Sequence, residues 1–198
     1  MENKKMKNVA NYIEIAAKVL KGCFLAGAIV CGIFAILVLI LGTDMISSFS
    51  LEFGNISVYL KDSYPMNEKL AITSIVVELV ITALMLVGLF FAMKLLKNIV
   101  TPIKDGRPFE ESITKNLRSL AWTSLAIGGL YEILKVVESL FANALIDFNG
   151  LFVSNYVDSI ELNFEIDYTF VAIFGVIMFL SFIFQYGQKL QKESDETL

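Results

Sequence analysis

Residues 22–41, GCFLAGAIVCGIFAILVLIL, hold no charged side chain. At a rise of about 1.5 Å per helical residue the run is about 30 Å long, the thickness of a bilayer's hydrocarbon core. Any fold for this chain must therefore keep one such helix out of water. The remaining composition agrees: 56% of the 198 residues are hydrophobic and the mean hydropathy is +0.68, above the range of ordinary soluble domains. A cleaved signal peptide has an apolar core of roughly 7 to 15 residues followed by a small-residue cleavage site. The long run ending LILGTDM fits neither requirement, so an uncleaved first span is expected.

Three further segments have spanning length. Residues 70–93 carry one charge, Glu78, and residues 168–186 carry none. Between them, residues 117–146 are less apolar, but the chain has to return for the last segment to be placed, which makes this stretch the third span. The expected fold is an all-α integral membrane protein, a four-helix transmembrane bundle in one domain, with spans at about 19–41, 70–93, 117–146 and 168–186. Lysine and arginine concentrate in the N-terminal segment, in the 94–116 connection and around the start of the 187–198 tail, while the 42–69 connection has only Lys61 and Lys69 and the 147–167 connection has none. By the positive-inside rule both termini are cytoplasmic. Each half of the chain reads span, outer connection, span; the two halves enter from the same side, without the inverted repeats of many transporters.

A small extracytoplasmic β element is expected in the outer connections. FSLEFGNISVYL, at 49–60, reads as two short strands around Gly54 and Asn55. SIELNFEID, at 159–167, alternates Ile160, Leu162, Phe164 and Ile166 with Glu161, Asn163, Glu165 and Asp167, the period of a half-buried strand.

The chain has no histidine, which removes histidine triads, HExxH sites and Cys/His zinc sites together. Its two thiols, Cys23 and Cys31, lie eight residues apart on one expected helix, a rise of about 12 Å that forbids a bridge. With Gly27 they form a small-residue stripe suited to close helix approach. No catalytic, metal-binding or cofactor-binding constellation emerges, and an enzyme is not expected.

The charges inside the spans need a separate account. Glu132, Lys135 and Glu138 follow at offsets of three, so each acid can reach the lysine along one side of a helix. Glu78 lies at a depth comparable to Lys135, making a cross-helix pair geometrically feasible. Three readings follow: a structural ion-pair network of Glu78, Glu132, Lys135 and Glu138, an unpaired and protonated Glu78 of a small proton-coupled transporter or channel, or a ligand-sensing pocket.

On the basic side, helix is expected to about Val100, to break at Pro102, to turn through Asp105 and Gly106, and to restart with Pro108 in its first turn. Phe109, Ile113, Leu117 and Leu120 then share one face, and Lys115 and Arg118 reach the level of lipid phosphates. The tail runs from helical to acidic, and Glu193, Asp195 and Glu196 form a candidate partner-binding surface.

Three segments resemble a known family: GRPF at 106–109, LRSLA at 117–121 and YGQKLQKESDETL at 186–198. They are similar to a bacterial family of four-span membrane proteins, the domain of unknown function 2975 family. The resemblance implies a bacterial plasma-membrane protein, often encoded beside a small cytoplasmic helix-turn-helix regulator, and it brings no catalytic residues. The expected function is a non-enzymatic regulatory or sensory membrane protein, in contact with the lipid bilayer and paired with a cytoplasmic DNA-binding regulator. No direct nucleic-acid binding is expected, and a homo-oligomer is compatible with this reading. The alternatives are the small transporter or channel and an immunity protein against a membrane-active peptide.

Overall fold

The computed structural model describes residues 2–42, 50–53, 56–59, 67–152 and 166–196. The apolar runs become long helices: α1 (Glu2–Leu41), α2 (Glu68–Lys104), α3 (Glu111–Leu145) and α5 (Thr169–Glu196), with the single-turn α4 (Phe148–Phe152) after α3. Between α1 and α2, β1 (Ser50–Phe53) pairs antiparallel with β2 (Ile56–Tyr59), in a register that sets Ser50 opposite Tyr59 and Phe53 opposite Ile56. The second expected strand, around 160–165, lies outside the described residues.

Among the described residues three helices, α1, α2 and α5, are long and apolar enough to cross a membrane. Their large apolar side chains point outward, with Ile40 72% and Phe179 64% exposed, a pattern suited to lipid. α3 has the length, 35 residues, but its run of charged and hydroxyl side chains keeps it outside that set.

The chain divides into two compact units, one of residues 1–29, 83–132 and 166–198, the other of 30–82 and 133–165. The first has its core where Ile99 of α2 meets Ile113 and Leu117 of α3, with Ile177 and Phe184 of α5 packed against them. In the same unit Gly27 of α1 lies against Leu86 of α2, the close approach its missing side chain permits. The core of the second unit joins Ala71 of α2 to Leu145, Ile146 and Phe148. There Asp147 begins α4 by accepting the Gly150 N–H at 2.9 Å.

Helix ends follow their capping chemistry. Asn67 starts α2, its Oδ1 accepting the Leu70 N–H at 3.2 Å. α2 does not break at Pro102: it continues to Lys104 with the proline inside. The proline costs one backbone bond, to Asn98, and the helix needs only two more residues before it stops. The stop is a Schellman turn, with Gly106 at φ 79°, its N–H on the Ile103 carbonyl at 3.1 Å and the Arg107 N–H on Pro102 at 2.9 Å. Nor does α3 begin at Pro108. Pro108 and Phe109 form a further turn, and Glu110 precedes the helix, its carbonyl accepting the Ile113 N–H at 3.0 Å. Ile113 and Leu117 are buried as expected, whereas Phe109 is outside the helix and off their face.

Candidate functional site

The charges on α2 and α3 divide between the two units. In the second, Glu78 on α2 is partly buried. No ion pair between Glu78 and Lys135 occurs among the described residues, although Lys135 is itself engaged.

In the first unit Glu132 is buried, and its Oε2 accepts the backbone N–H of Asp167 at 3.3 Å. Asp167 in turn accepts the Thr169 N–H at 2.8 Å in the first turn of α5. Glu132 thus fastens α3 to the residue that caps α5 and places negative charge where a helix N-terminus favours it.

A denser polar arrangement lies at the other end of α5, where the apolar run gives way to Gln185, Gln188 and Lys189. Gln188 Nε2 donates to the Thr114 hydroxyl at 2.7 Å and to the Glu110 carbonyl at 2.9 Å. One residue earlier, Gly187 has no side chain because the Phe109 ring occupies its place; a methyl group there would collide with the ring. Phe109 also packs against Phe184, with ring centroids 6.1 Å apart. Above, Ser181 is fully buried and its hydroxyl approaches the Thr114 carbonyl at 3.4 Å, which brings α5 close to α3. Arg118 Nη2 donates to Gln185 Oε1 at 2.8 Å. The turn itself is held by Arg107 and Ser112, which reach the two Glu110 carboxylate oxygens at 2.7 and 2.8 Å.

The lysine-rich beginning of α1 joins the same unit through Glu14. Its carboxylate takes Lys104 at 3.0 Å and Lys97 at 3.7 Å. Glu14 precedes the uncharged run of α1, and Lys104, then Lys97, hold its carboxyl below the usual carboxylate range. The tail acids fall on α5, which stays helical to Glu196; Glu193 lies 3.8 Å from Lys189 and Glu196 lies 3.9 Å from Lys192, while Asp195 is exposed.

The family described as "Protein of unknown function (DUF2975)" matches residues 55–198. The chain belongs to this family. The DUF2975 match runs through α2, α3 and α5, so it contains GRPF, LRSLA and the terminal segment; GRPF meets the terminal segment at Phe109 and Gly187, and LRSLA bonds α5 at Gln185, one residue before that segment. It leaves out α1 and with it Glu14. No curated protein and no solved structure matches the chain.

Gln188, Thr114 and Glu14 were not among the residues that sequence reasoning singled out. Glu14 had a signal, as the one acid between Lys7 and Lys18. Gln188 had a weaker one, an amide directly after a glycine at the end of an apolar helix.

Proposed function

We propose that this DUF2975 chain is a non-enzymatic, four-span protein of the bacterial plasma membrane, with both termini in the cytoplasm, that acts as a regulator or sensor. One observation carries the reading: GRPF meets the terminal segment where the Phe109 ring covers Gly187, and LRSLA reaches α5 through Arg118 and Gln185, at the end of the uncharged part of that helix. The most specific construction in the first unit is thus a joint at the basic side of the membrane, suited to relaying a change of helix position to the tail. α3 serves as the remaining span, its polar side chains shielded by the other helices. The outer connections and the region around Glu78 receive the stimulus. Glu193, Asp195 and Glu196 offer a cytoplasmic DNA-binding regulator an acidic surface in place of nucleic-acid phosphate.

Removing residues 193–198 tests this role, since it spares the Gln188 joint and both lysines of the α5 terminus. The truncated protein is expected to insert at normal level while losing co-purification of the regulator and changing transcription from the regulator's promoter. Normal protein level with unchanged transcription would take the tail out of the mechanism. One observation favours a second reading, a small proton-coupled transporter: Glu78 is partly buried on α2 and makes no ion pair among the described residues. That reading stands or falls on uptake driven by a pH gradient in proteoliposomes.

A further inference from the structure

A groove of about 740 Å³ lies along α5 where its apolar run ends, between Phe182, Tyr186, Lys189 and Lys192 on one side and Phe109 and Glu111 on the other. Such a volume suits a small-molecule headgroup. Phe182, Gln185, Tyr186 and Lys189 recur at helical spacing, so the groove passes from aromatic wall to cation along one face of α5. That order is the order of a lipid: chain and glycerol first, phosphate after.

The cations at its polar end are available. Lys189 and Lys192 have side chains 74% and 80% exposed, and their carboxylate contacts, at 3.8 and 3.9 Å, place the lysine N-terminal to the glutamate, the weaker orientation on a helix. Arg118 lies outside the lining but touches two of its members, its guanidinium 5.8 Å from the Phe182 ring centre and bonded to Gln185. Its Nε is buried and has no hydrogen-bond partner among the described residues. Arginine presents its donors as a fork that matches phosphate oxygens, and a buried donor without an acceptor is costly. Glu111 is the acid in the lining; against it stand two lysines, and Arg118 adds a third cation. The net positive balance favours an anionic headgroup over a zwitterionic one.

We propose that this groove binds an anionic phospholipid of the surrounding leaflet, its phosphate held by Lys189, Lys192 and Arg118 and its glycerol region packed on Phe182 and Tyr186. The site rests on α5 crossing the bilayer, and not on any partner of the tail. Tyrosine at this level and lysines just beyond it are what a membrane interface accommodates.

The test uses the full chain, purified in a neutral detergent and offered equal amounts of phosphatidylglycerol and phosphatidylcholine with the same acyl chains, with retention read by native mass spectrometry. Phosphatidylglycerol should be retained in preference. Lys189→Gln with Lys192→Gln should lower that retention by about thirtyfold, as the loss of two cations at an anionic headgroup implies. Arg118→Gln should lower it as well, whereas Lys115→Gln, at an exposed position of α3 outside the lining, should leave it unchanged. Both groove lysines are exposed, so their replacement leaves the helices folded, which circular dichroism verifies. Equal retention of phosphatidylcholine by the unaltered chain would overturn the proposal. So would an equal loss in Lys115→Gln, the mark of diffuse surface charge, or displacement of the lipid by millimolar inorganic phosphate, the mark of a soluble-anion site. The tail deletion leaves all three cations in place, so failure of the regulatory reading and failure of this one are separately visible.

Discussion

Glu132 is a buried carboxylate whose Oε2 takes a backbone N–H of the residue that caps α5. Replacing it distinguishes acceptor from charge. Glu132→Gln keeps an oxygen toward Asp167 and should cost under about 1 kcal/mol, while Glu132→Leu leaves that N–H without its acceptor and should cost about 1–3 kcal/mol. Thermal unfolding in detergent reads the difference, and a leucine variant as stable as the glutamine one would remove the contact from the fold's energetics. Helical spacing had placed Glu132 with Lys135 and Glu138, because offsets of three are visible along one helix. Its bond to Asp167 crosses 35 residues of sequence, and no periodicity contains it. The same limit hid Phe109: its distance from Ile113 fits a helical face, but the turn that removes it from the helix exists so that its ring can cover Gly187.

Among the elements, the apolar runs made four long helices legible, since hydrocarbon leaves a backbone little choice but helix. The ends were harder. Pro102 reads as a breaker, yet the Schellman bonds around Gly106 determine where α2 stops, and they form two residues later. The tail turns acidic over its last residues, yet α5 stays helical to Glu196, with lysines four residues ahead of Glu193 and Glu196. The contact of α1 with α2 through Glu14 predicts a pH dependence. Lys104 and Lys97 depress the folded-state carboxyl, so this contribution is complete above the unfolded value, about 4.3, and is lost as pH falls through the lower folded value. The melting temperature should therefore decline on acidification, less steeply in Glu14→Gln than in the unaltered chain. Parallel declines would show that Glu14 does not report on this contact.

For the whole molecule, orientation is the property on which the regulatory reading depends. In a background of Cys23→Ala and Cys31→Ala, a cysteine at Ser159 should react with an impermeant thiol reagent in intact cells, and a cysteine at Ser194 should react only after lysis. The reverse pattern would invert the topology and place the acidic tail outside. Lysine counts carry this expectation well because they integrate over whole connections; they carry no information on which polar residues meet. That is why the Gln188 joint was invisible in the sequence while the segments that build it were not. Its two bonds join an amide to a hydroxyl and to a backbone carbonyl, and no formal charge enters either one. The Glu14 contacts are ionic, and mobile ions weaken them as the Debye length contracts from about 10 Å at 0.1 M to about 3 Å at 1 M. At high ionic strength the two attachments therefore respond differently: the Glu14 ion pairs between α1 and α2 weaken, and the Gln188 bonds between α5 and α3 do not.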